Sequence, residues 1–109
     1  MKKNPEFWVY IVTNWKKTVL YVGITNNLNR RLIEHYTNRG KPETFAGRYY
    51  CYNLVFYERH ASALEAIGRE KAVKNLSREQ KDSLIQEFNL AGKFFNTFIC
   101  GCWPPPSTS

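Results

Sequence analysis

Residues Phe7 to Thr13 are an unbroken run of aromatic and β-branched side chains, Phe-Trp-Val-Tyr-Ile-Val-Thr. Side chains alternate between the two faces of a strand, so a run that is apolar at every position has to bury both. That pattern predicts a central strand, covered on either side. Asn14-Trp15-Lys16-Lys17-Thr18 is polar and turn-like, and Val19 to Gly23 reads as a second strand. The pair is expected to form an antiparallel hairpin. Asn26 or Asn27 can cap the helix that follows, which extends to about Thr37.

The rest of the chain completes a small α+β domain. Residues 38–53 form a polar, basic stretch with Gly40, Pro42 and Gly47; ordered loops of that length are often functional. Leu54 to Tyr57 reads as a third strand. Ser62-Ala63-Leu64-Glu65 opens a second helix running to about Asn75, and Ser77-Arg78-Glu79-Gln80 a third running to about Phe88, each with capping-box spacing. The order strand, strand, helix, strand, helix, helix predicts a three-stranded, mainly antiparallel sheet flanked by about three helices. We expect one domain over residues 1–100 and an irregular tail over 101–109, where Pro104, Pro105 and Pro106 follow one another.

Charge narrows the partner. The chain carries 16 Lys+Arg against 9 Asp+Glu, a formal net charge of +7 on 109 residues. So basic a domain favours a polyanion, most simply DNA or RNA. No apolar run approaches the roughly 18–20 residues that span a bilayer. Met1 to Glu6 is not followed by a signal-peptide pattern. Cys51, Cys100 and Cys102 form no disulfide framework, and Cys100-Gly101-Cys102 lacks the partners of a zinc site. The expected location is the cytoplasm, without membrane contact.

Several polar residues fall on faces that should be buried. Read at about 100° per residue, the first helix buries Leu28, Leu32 and Tyr36, with Arg31 and His35 bordering that stripe and Arg30 on the far side. Arg31 is then the arginine that leans toward the sheet carrying Tyr10 and Tyr21. The same spacing also describes the polar margin of an ordinary amphipathic helix, and periodicity alone favours that plainer reading. In the second helix Ala63, Leu64, Ala66 and Ile67 lie along the apolar side with Glu70 among them, while Glu65 and Arg69 point out. A carboxylate there is costly unless it is paired or bound to a cation. A salt bridge to Lys71 or Lys74 and a metal ligand satisfy that condition equally well. Gly68 costs the helix about 1 kcal/mol relative to alanine, in return for close packing or for nothing. Tyr49-Tyr50-Cys51-Tyr52, beside Arg48 and Lys41, could stack on bases; packing at the start of the third strand is the plainer use of such a cluster.

Taken in order, these residues resemble the GIY-YIG nuclease superfamily, and within it the small single-domain endonuclease subgroup. The first motif stands here as Trp8-Val9-Tyr10 and the second as Tyr21-Val22-Gly23. The family's helical arginine and the His or Tyr four residues later fall on Arg31 and His35. Its later glutamate, often within Arg-Glu-Lys, falls on Glu70 of Arg69-Glu70-Lys71-Ala72-Val73-Lys74. The subgroup's third helix, ending in asparagine, runs from Ser77 to Asn89. The resemblance covers residues 7 to 89. Trp8 stands where the family usually has glycine, and Leu90 where the subgroup often has proline.

The resemblance implies a metal-dependent endonuclease that hydrolyses phosphodiester bonds in DNA. Glu70 would bind one divalent ion, Mg²⁺ or Mn²⁺, and Arg31 would stabilise charge on the phosphate. Tyr10 or Tyr21 would orient or deprotonate the attacking water, with His35 sharing the proton work or holding a tyrosine. Asn89 would orient the site. Arg30, Arg39, Lys41 and Arg48 are the expected nucleic-acid contacts. A monomer is expected, with weak sequence preference and any further selectivity from DNA shape or a partner protein. The competing reading is a module that keeps the fold and binds nucleic acid without cutting it.

Overall fold

The doubly apolar strand lies in the middle of the sheet, as its pattern requires. In the computed structural model, which describes residues 6–106, β1 (Phe7–Thr13) is flanked by β2 (Leu20–Thr25) and β3 (Asn53–His60), both antiparallel to it, in the order β2-β1-β3. Val9, Tyr10, Ile11 and Val12 have no exposed surface at all. The readings of residues 1–5 as free of a signal sequence, and of the last three residues as irregular tail, lie outside the described residues.

The pleat sorts this strand into two cores. Val9 and Ile11 pack with Val22, Phe56, Ala66 and Val73 on one face. Tyr10 and Val12 pack with Leu28, Leu32, Ala46, Cys51 and Leu54 on the other. The second face is covered by α1 (Leu28–Thr37), the short α2 (Phe45–Arg48) and α5 (Asn96–Cys100), the first by α3 (Ala63–Lys74) and α4 (Arg78–Phe88). The helices of the sequence reading are all present. α2 and α5 were not expected, being too short to show helical periodicity.

Local chemistry sets the boundaries. Asn14 closes the hairpin: its Oδ1 accepts from the backbone N–H groups of Thr18 and Val19. Asn27, rather than Asn26, caps α1 by accepting from the Arg30 N–H. Ser77 and Gln80 form a complete capping box on α4. Ser62 caps α3 through the Glu65 N–H, but among the described residues Glu65 does not reach back, so that box is half formed. β3 runs on to His60, three residues past Tyr57, because Glu58 and His60 find charged partners on the face they share with Val9 and Phe7. Pairing slips between Ile11 and Val12: Ile11 faces Phe56 and Val12 faces Leu54, leaving Val55 as a bulge.

Two stripe assignments change. The buried residues of α1 are Leu28, Leu32 and His35; Tyr36 is only partly buried, its ring packed edge-on against Tyr52 and Trp103. In α3 only Ala66 and Val73 are buried, and Leu64 is 82% exposed. α3 therefore rests on the sheet along the Ala66–Val73 line, with Leu64 on the opposite side of the helix. A Cβ on Gly68 would meet nothing within 4 Å, so close packing does not explain that glycine.

Candidate active site

Tyr10 and Tyr21 lie on the same face because the hairpin register pairs Tyr10 with Gly23 and Val12 with Tyr21. Gly23 is what lets the Tyr10 ring lie flat across the neighbouring strand. A Cβ there would stand 2.5 Å from both Cζ and Oη of Tyr10, far inside contact distance. The phenol passes over Gly23 to meet α1, where His35 Nε2 lies 2.7 Å from its oxygen and Arg31 Nε donates to it at 3.3 Å. Arg31 is held a second time, by Nη1 donating to Glu34 Oε1 at 3.0 Å. Tyr21 completes the cluster with its ring set edge-on to the His35 imidazole, centroids 5.4 Å apart.

Burial decides the protonation states. It pushes the Tyr10 phenol well above its ordinary range, although the Arg31 guanidinium pulls the other way. It also pulls His35 down to about 4, and the positive charge of Arg31 adds to the effect. At neutral pH the phenol is protonated and the imidazole neutral. The 2.7 Å bond therefore runs from the Tyr10 O–H to Nε2, leaving the ring proton of His35 on Nδ1. Arg31 and His35 are thus more than the polar rim of a helix: one is bonded to Tyr10 from the margin, the other is 7% exposed and inside the core.

Glu70 sits elsewhere. It belongs to α3, across the sheet from α1, and its side chain is 15% exposed. Its Oε2 pairs with Lys74 Nζ at 3.2 Å, the pairing foreseen for a buried carboxylate. Arg69 and Glu70 fall on opposite sides of the Ala66–Val73 line. Arg69 reaches toward β3, where its Nε donates to Glu58 at 2.7 Å. Glu70 falls on the side of Ala63 and Ile67, which line a groove with Phe7, Ile24, Thr25 and Asn26 at the edge strand β2. No hydrogen bond or ion pair among the described residues joins Glu70 to Tyr10, Arg31 or His35. Asn89 is also apart. Its amide donates to the carbonyls of Val55 and Lys93 and accepts from the Lys93 N–H, so its polar atoms are engaged with backbone.

A family model described as the GIY-YIG catalytic domain matches residues 6–83. This chain belongs to the GIY-YIG family. A UPF0213 protein of Staphylococcus haemolyticus is 38% identical over 82 residues, spanning 75% of this chain and 96% of its own length. One from Natronomonas pharaonis is 37% identical over 82 residues, spanning 75% and 93%. The solution NMR structure of a UPF0213 protein from Bacillus halodurans is 28% identical, covers 85% of this chain and 93% of its own, and superposes with a TM-score of 0.49.

The GIY-YIG family is nuclease-type, and its nucleases generally depend on a divalent metal. No group of three or more His, Cys, Asp or Glu side chains that could enclose a metal occurs among the described residues. Mg²⁺ does not require one: it keeps several waters and is commonly held by one or two carboxylates together with substrate phosphate. Glu70 fits that use, since Lys74 engages only one of its oxygens.

The four basic residues expected to contact nucleic acid fall in two places. Arg30 lies on the outer side of α1, where it lines a groove with Asn27, Asn29, Ile33, Glu34, Thr37 and Asn38. Arg39, Lys41 and Arg48 share one loop closed by the Gly40 N–H donating to the Gly47 carbonyl at 2.8 Å. The Arg39 guanidinium lies 3.8 Å from the centre of the Tyr36 ring. Sequence reasoning passed over Glu34, which steadies Arg31, and the Glu58–His60–Arg69 cluster. Glu58 and His60 are two apart on one strand, so extending the third strand to His60 would have placed them on a common face.

Proposed function

We propose that this chain is a metal-dependent endonuclease that hydrolyses phosphodiester bonds in DNA, with weak intrinsic sequence preference. The observation that carries the reading is the bonded set Tyr10–His35–Arg31 inside a GIY-YIG domain, with Tyr21 edge-on to the same imidazole. The geometry supports a division of roles among Tyr10, Tyr21 and His35. Tyr10 has no exposed surface and is a positioning residue: its hydroxyl ties His35 to Arg31. Tyr21 is partly exposed and is the phenol that meets the attacking water, hydrogen-bonding it opposite the leaving oxygen.

Arg31 has two nitrogens engaged, by Tyr10 and Glu34. Nη2 is left to donate to a non-bridging phosphate oxygen, where charge grows in the transition state. The neutral His35 accepts from Tyr10 and keeps a second positive charge away from Arg31. Glu70 would hold a Mg²⁺ or Mn²⁺ ion through carboxylate oxygen. Such an ion, when bound, neutralises charge on the phosphate and the leaving oxygen. Asn89 acts at one remove, through β3. Arg30, Arg39, Lys41 and Arg48 hold the DNA backbone.

The test is nicking of supercoiled plasmid with Mg²⁺ or Mn²⁺, comparing wild type with Arg31→Ala and Glu70→Ala. Metal-dependent nicking by wild type alone supports the reading and both residues. Full activity in either variant removes that residue from the site. DNA binding without nicking on any substrate form would instead identify a binding module.

A further inference from the structure

The loop between α1 and β3 is tightly determined, yet it leaves aromatic rings in water. The Gly40 N–H donates to the Gly47 carbonyl, Lys41 N–H to Asn38, and Tyr50 N–H to Gly47. A Cβ on Gly47 would lie 2.6 Å from the carbonyl oxygens of both Asn38 and Lys41, so only glycine fits. Tyr50 has φ +57°, a conformation uncommon for a bulky residue, and its ring lies against Gly40, itself at φ +83°. α2 turns Ala46 and Gly47 inward. Outward it shows Phe45, 52% exposed, and Tyr49, 42% exposed. A loop built to pack against the third strand would have buried these rings. Of Tyr49, Tyr50, Cys51 and Tyr52, this one buries only Cys51 and part of Tyr52.

The exposed rings continue the site. Tyr21 stacks on Phe45, centroids 6.4 Å apart and planes inclined by 27°, and Phe45 meets Tyr49 at 4.8 Å. A row of three rings thus leads from the His35 imidazole out along α2, and Arg39, Lys41 and Arg48 sit in the same loop. Aromatic faces beside a basic track are what single-stranded nucleic acid requires, because any unpaired base can stack while cations hold its phosphates. A paired base inside a duplex presents no free face.

We propose that Phe45 and Tyr49 form a stacking platform for an unpaired base of the DNA strand, next to the phosphate held at Arg31. The preferred substrate is then a single strand or a junction with unpaired nucleotides at the cut. This rests on the nuclease reading for its cleavage consequence, but not for binding.

The test is fluorescence anisotropy with a short labelled oligothymidylate and a duplex of equal length, at one salt concentration and without metal. The wild type is expected to bind the single strand more tightly. Phe45→Leu and Tyr49→Leu are each expected to weaken single-strand binding about tenfold and to leave duplex binding nearly unchanged, with Phe45→Trp restoring it. One abasic position opposite the platform is expected to weaken wild type but not Phe45→Leu. Thermal unfolding checks each variant. Should Phe45→Leu fail to fold, Tyr49→Leu carries the test, because among the described ring pairs Tyr49 meets only Phe45. Unchanged single-strand binding, or equal loss on both probes, overturns the platform. Adding Mn²⁺ separates the two readings. Ring-dependent single-strand binding without cleavage of single-stranded, flapped or duplex DNA sustains the platform and defeats the nuclease. Arg31-dependent cleavage of all three, indifferent to Phe45 and Tyr49, does the reverse.

Discussion

At the scale of single residues, the site depends on one missing side chain. Gly23 gives its Cβ volume to the Tyr10 ring, and no flexible neighbour can yield, because Tyr10 is fully buried. Gly23→Ala should therefore destabilise the fold by about 1–3 kcal/mol, as overpacking does, and displace the phenol from His35; a denaturant titration measures the first effect. His35 gives a pH signature. Its ordinary value is 6.5 and its folded value about 4, so the unfolded chain binds the extra proton between these limits. The stability due to neutral His35 is complete above pH 6.5 and is lost as pH falls through 4, about 3 kcal/mol over the interval. Denaturant midpoints measured from pH 7 to 4 should show that slope, and His35→Gln should flatten it.

At the scale of elements, the site relies on how strands and helices are tied at their ends. The bulge at Val55 leaves a carbonyl that Asn89 satisfies from the end of α4, while the same amide fixes the turn at Lys93. Asn89→Ala strands buried partners and should cost about 2 kcal/mol, read as a lower denaturation midpoint. Nicking by the folded fraction should fall less than in Arg31→Ala, because Asn89 touches neither tyrosine. On the other side, Arg78 donates to the carbonyls of Lys17 and Thr18, so α4 also holds the β1–β2 turn. Element positions were largely legible beforehand, since caps such as Ser62 and Ser77 act within one turn of chain. α5 was not, because Asn96 serves β3 from 42 residues away, accepting from Leu54 N–H and donating to Tyr52.

At the scale of the whole molecule, the +7 net charge is not spread evenly through the proposed contacts: three of the four expected cations, Arg39, Lys41 and Arg48, fall in one loop. Their contacts to phosphate release counterions, so log affinity for duplex DNA should fall linearly with log salt. Lys41→Ala and Arg48→Ala should each reduce that slope by about 1, in binding titrations across a salt series. Tyr10, His35 and Arg31 lie on the α1 face and Glu70 on the α3 face. On the proposed reading, a phosphate held at Arg31 and a metal held at Glu70 would meet across the β2 edge of the sheet.

Patterns of neighbouring residues settled a good deal in advance. A run apolar at every position dictated a central strand, capping side chains dictated helix starts, and the order of Tyr10, Tyr21, Arg31, His35 and Glu70 identified the family. Those features are local, or depend only on order along the chain. Tertiary structure alone decided that His35 rather than Tyr36 is buried in α1, because the two flank the Leu28–Leu32 line on opposite sides and a rotation of roughly a few tens of degrees on the sheet decides between them. It alone bonded Tyr10 to His35, bound Asn89 to the backbone, and turned Phe45 and Tyr49 outward. Each of those outcomes depends on what a distant segment places opposite a side chain, and periodicity within one element carries no information about that.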